Sequence, residues 1–121
     1  MWKRQREDKS VLTEPRCPFC RALFERPHEI VTDLGFFTGG MCDCGAVYGF
    51  DPTGKNLGEV FMETLVELCG GDWQRAMSMT RGESYEERVL RYNPRTHRLV
   101  PGGIGYAGKT GILLFLKLTG E

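Results

Sequence analysis

Cys17-Pro18-Phe19-Cys20 and Cys42-Asp43-Cys44-Gly45, with 21 residues between them, decide how this 121-residue chain is read. A C-x-x-C turn brings two thiolates to one point while the backbone reverses. The second pair is a tighter C-x-C, followed by a glycine that can take positive φ as the chain leaves. Four thiolates at about 2.3 Å around a tetrahedral ion satisfy structural zinc and leave no open position. The chain has five cysteines and no secretory features, so metal ligands or free thiols are expected rather than disulfides.

Other readings of the cysteines remain open at this point. Iron or an iron–sulfur cluster also takes thiolate ligands. Redox chemistry at a thioredoxin-like C-x-x-C needs a βαβ context, and no convincing helix follows Pro18-Phe19. His28 lies eight residues past Cys20, after Pro27 in a polar stretch, and reads as a surface residue. Cys69 falls inside an apolar helical pattern, where a buried free thiol is the ordinary outcome.

The two pairs resemble zinc-ribbon modules at Cys17-Pro18-x-Cys20 and Cys42-x-Cys44-Gly45. Segments that fit ribbon strands follow each turn: Ala22-Leu23-Phe24, then Gly45 to Phe50. The resemblance covers residues 11–51 and departs from the commonest pattern in having one spacer in the second pair. It implies one structural Zn2+ per chain on Cys17, Cys20, Cys42 and Cys44. It also implies a platform for a protein or nucleic-acid partner, although fold-level analogy does not fix function.

Outward from the cysteines, residues 1–10 read as a flexible charged tail, and residues 52–121 as an α+β core. Asp51-Pro52-Thr53-Gly54-Lys55 is a turn. Asn56 with Glu59 suggests a capping box, opening a helix whose apolar face is Leu57, Val60, Phe61, Leu65, Leu68 and Cys69. Glu59, Glu63 and Glu67 make an acidic stripe on another face. Gly70-Gly71 stops that helix, and Asp72 caps a second one that turns Trp73, Ala76 and Met77 inward. The expected fold class is therefore α+β: an N-terminal zinc ribbon of four cysteines, then a helical hairpin and a small antiparallel sheet. That sheet includes a β-hairpin over residues 87–100 with a turn at Asn93-Pro94-Arg95-Thr96. Ser84-x-x-Glu87 keeps a helix to Tyr92 as the alternative. Ile112 to Leu118 is apolar at almost every position and reads as a strand buried on both faces.

Composition narrows the function classes. Net charge is zero, but residues 1–28 carry +3, residues 29–70 carry −6 and residues 71–121 carry +3. Bulk electrostatics do not make this a polyanion binder, though the arginine-rich hairpin 88–98 is a candidate nucleic-acid contact. Gly103 to Thr110 matches the P-loop pattern G-x-x-x-x-G-K-T. A true P-loop leads into a helix, whereas this one leads into the apolar run Ile112 to Leu116. A connecting loop is therefore expected, with a nucleotide-binding enzyme as the lesser reading. No H-E-x-x-H or G-x-S-x-G motif is present, so no enzyme and no small-molecule substrate are expected. No apolar run approaches membrane-spanning length, and a charged N-terminus without a signal core makes cytoplasmic location the default.

Overall fold

A computed structural model describes residues 14–32, 35–100 and 111–119. The tail 1–10 and the glycine-rich segment 103–110 lie outside the described residues. Along the chain come β1 (His28–Thr32), β2 (Gly35–Met41), β3 (Val47–Asp51), α1 (Leu57–Leu68), α2 (Trp73–Met77), β4 (Tyr85–Asn93), β5 (Arg98–Leu99) and β6 (Gly111–Leu118). Among the described residues the six strands form one antiparallel sheet in the order β1-β2-β3-β6-β4-β5.

The sheet corrects the expected architecture. It dominates the described residues, and the helices are accessories to it rather than a hairpin of comparable weight. The second helix has only five residues. Asp72 does cap it, accepting from the Arg75 N–H, but only Ala76 is buried, while Trp73 and Met77 are exposed. The helix stops at Ser78, whose N–H and hydroxyl both turn back to donate to the Arg75 carbonyl. The ribbon is also altered. Leu23 makes only an isolated bridge to Arg16, so Ala22 to Phe24 is not a strand, whereas β3 pairs directly with β6.

β6 sits at the centre because its side chains are apolar in both directions. Leu113 and Phe115 enter one core, and Leu114 and Leu116 enter the other. The hairpin reading of residues 87–100 holds, with Tyr92 opposite Leu99 and Asn93 opposite Arg98. The helix alternative fails here because β4 pairs with β6 along nearly its whole length, from Tyr85 opposite Leu118 to Tyr92 opposite Gly111.

The two faces carry different cores. On one face α1 and Ala76 of α2 cover Leu114, Leu116 and Tyr85 through Leu65, Val66 and Cys69. The other face gathers Cys17, Phe24, Cys42, Ala46, Tyr48, Tyr92, Leu113 and Phe115. Full burial of each large apolar side chain contributes about 1.5–3 kcal/mol. In β2, alternation buries Phe37 and exposes Phe36.

The turn into α1 is held by Asp51, which is 1 % exposed. Its Oδ1 accepts from the Thr53 N–H and hydroxyl, both at 3.0 Å, and its Oδ2 accepts from the Asn56 N–H at 2.7 Å. The expected capping box is not formed: Asn56 stands at the N-cap without a side-chain capping bond. Burial disfavours the Asp51 charge, but the N–H groups of Asn56, Thr53 and Gly54 and the Thr53 hydroxyl outweigh it and lower the pKa. A depressed folded pKa gives stability that is present above the unfolded value, about 3.9, and lost as pH falls through the folded one. Asp51→Asn is expected to cost about 2 kcal/mol near neutrality, because an amide N–H₂ would face a backbone donor. Thermal melts of both proteins from neutral to acid pH should show that difference shrinking below about pH 4.

Candidate metal centre

Two turns of related design build the site. In the first, the Cys17 N–H donates to the Ala22 carbonyl and the Arg21 N–H donates to the Cys17 carbonyl, both at 2.8 Å. In the second, the Cys42 N–H donates to the Ala46 carbonyl at 2.8 Å and the Gly45 N–H to the Cys42 carbonyl at 2.9 Å. The second turn closes in one residue fewer, which lets a C-x-C replace a C-x-x-C. Each turn leaves through a residue at positive φ: Gly45 at +100° and Arg21 at +71°. Glycine suits this region, whereas an L-residue there costs about 1–2 kcal/mol. The Arg21 carbonyl is held by Nη1 of Arg16 at 2.8 Å.

The sulfurs of Cys17, Cys20, Cys42 and Cys44 all lie within 4.8 Å of one another. Cys17 Sγ is 3.8 Å from Cys44 Sγ, and Cys20 Sγ is 3.5 Å from Cys42 Sγ. These separations are too long for disulfides and all five cysteines are free. An ion with four sulfurs at about 2.3 Å sets each sulfur pair about 3.8 Å apart, so the cluster fits a single tetrahedral metal. Amides support the sulfurs: the Phe19 N–H points at Cys17 Sγ at 3.4 Å, and the Ala22 N–H at Cys20 Sγ at 3.5 Å.

Burial and hydrogen bonding divide the thiols. Burial pushes Cys42 up to about 12 and raises Cys17. The Ala22 N–H, aided by Cys42, lowers Cys20, which is exposed. Buried thiols that hold their protons must release them to a metal, so uptake is coupled to proton release.

The chain leaving the first turn is fastened to the far end of the sheet. Nε2 of His97 lies 3.0 Å from the Phe24 carbonyl, which can only accept, so Nε2 carries the proton. Nδ1 then accepts from the Tyr92 hydroxyl. Phe24 packs on Tyr48, Phe115 and edge-on against His97, and Nη1 of Arg26 donates to the Pro94 carbonyl. Sequence reading missed this clamp: its two halves are 73 residues apart, and a lone histidine after a turn carries no local sign of its partner.

Comparison of the chain with family models, with curated proteins and with solved structures found no match.

Of the other predicted residues, His28 is exposed and outside the cluster, and Cys69 is buried and free. The arginines of 88–98 do not form one stripe. Arg88 lies over the Phe19 ring, 5.0 Å from its centroid, and pairs with Glu86 at 3.1 Å. Arg91, Arg95 and Arg98 are exposed and make no ion pair among the described residues. No helix among the described residues is long and apolar enough to cross a membrane.

Proposed function

We propose that Cys17, Cys20, Cys42 and Cys44 hold one zinc ion as a structural staple. The protein is then a non-enzymatic, zinc-ribbon-like binding module that presents a metal-anchored surface to a protein or nucleic-acid partner. The observation that carries this reading is the convergence of four sulfurs at tetrahedral spacing on the same core as Phe24, Tyr48 and Phe115. A full set of thiolates leaves no coordination position for water or substrate, so the metal stabilises rather than activates. All-thiolate sites also accept iron, which makes the metal's identity part of the test. Refolding the apo chain with Co2+ should give the strong visible and near-ultraviolet bands of tetrahedral tetrathiolate cobalt, bleached by one equivalent of Zn2+. A weak octahedral spectrum would count against the site.

The nucleic-acid form of this reading is favoured by three exposed arginines, Arg91, Arg95 and Arg98, that make no ion pair among the described residues. It requires oligonucleotide binding that weakens steeply with salt, with a log–log slope reduced by about one for each arginine changed to alanine. Binding that ignores both salt and these substitutions would exclude it.

A further inference from the structure

On the face opposite the metal, a trough of about 420 Å³ runs between α1 and the β1–β2 hairpin. Met41, Val66 and Trp73 give it apolar walls, and Glu63 and Glu67 stand along it from two successive positions of the acidic stripe. Its volume lies in the range of ligand sites. Met41 is 68 % and Trp73 40 % exposed, so two large apolar side chains face water here. The described lining residues include no lysine or arginine, and neither glutamate makes an ion pair among the described residues.

We propose that this trough binds a basic segment of a partner protein, seating a lysine or arginine side chain with its charged head on Glu63 and Glu67 and its stem along Met41, Val66 and Trp73. Charge complementarity selects the cation. Besides the two carboxylates, the last turn of α1 carries no basic residue to offset the negative end of the helix. Burial, and then the neighbouring Glu59, raise the pKa of Glu63, in keeping with a carboxylate that makes no ion pair among the described residues. The apolar walls select the stem: lysine and arginine lay their methylenes on apolar surface while the head stays at the rim. The exposed mouth suits a side chain delivered by another polypeptide rather than a free molecule enclosed on all sides.

This inference rests on the binding-module reading and names its partner chemistry. The test titrates the zinc-loaded full chain into a fluorescein-labelled peptide of alternating leucine and lysine, read by anisotropy. Saturable binding is expected, with about tenfold weaker affinity for the Glu63→Gln, Glu67→Gln double variant. Trp73→Ala should weaken it by a comparable factor, and thermal melts of both variants confirm that they are folded. A peptide of alternating leucine and glutamate should not bind. Equal binding of the two peptides, wild-type affinity in the glutamine variant, or stoichiometric displacement of the peptide by butylamine would each overturn the proposal. Metal content is measured on the same samples. A zinc-loaded protein that ignores the peptide refutes this inference alone, whereas a protein that takes up no metal refutes the module reading.

Discussion

Cys42→Ser is expected to lose the metal and lower the melting temperature by more than about 10 °C. Structural zinc contributes an apparent 10–16 kcal/mol in small modules, on the order of the whole stability of a typical domain. The effect should not stay local. Cys42 shares one core with Cys17, Phe24, Tyr48 and Phe115, so loosening the second turn exposes the face on which the sheet rests. Cys69→Ser is the control. That thiol is equally buried but belongs to the helix-side core, so its loss should cost only about 1–2 kcal/mol and leave metal content unchanged. Calorimetry with metal analysis reads both. Wild-type melting in Cys42→Ser would contradict the structural role assigned to the ion.

Gly49→Val should be the other severe substitution, for an unrelated reason. Gly49 lies in β3 under α1, and a Cβ there would stand 2.2 Å from Thr64 Oγ1 and 2.9 Å from Val60 Cγ1. Thr64 is fully buried, with its hydroxyl donating to the Val60 carbonyl at 2.7 Å, so it cannot step aside. The helix must lift or the strand must bend. Overpacking of this kind costs about 3 kcal/mol or more, roughly a 10 °C fall in melting temperature for a chain of this size. Metal content should be unaffected, because the sulfurs lie on the other face. A variant that melts within a degree or two of wild type would show that α1 is not seated on Gly49.

These two sites mark the boundary of what the sequence made legible. The thiolate cluster was readable because its ligands come as two local turns, each with its own spacing and exit residue. β6 was readable because an apolar run with no polar phase has to be central. The β4–β5 hairpin announced itself through Asn93-Pro94, and α1 through its apolar period. The register and extent of the sheet were hidden. Nothing local reveals that β3 pairs with β6 across some sixty residues, and that pairing turns a ribbon and a small sheet into one six-stranded sheet. Thr64 is buried although polar, because its hydroxyl donates to the backbone four residues back, a bond that apolar periodicity cannot register. The second helix was overread because Trp73 and Met77 count as apolar in any periodicity while the fold leaves both exposed. Asp51 likewise looked like an ordinary turn residue, and only the fold shows it anchoring three donor groups.

The most direct test of the central claim is native mass spectrometry of the purified 121-residue chain, before and after mild acidification. The expected result is one zinc ion per chain at neutral pH, released together with a shift to the high charge states of an unfolded protein as the thiolates take up protons. A folded charge-state envelope with no metal at neutral pH would contradict the account at its root.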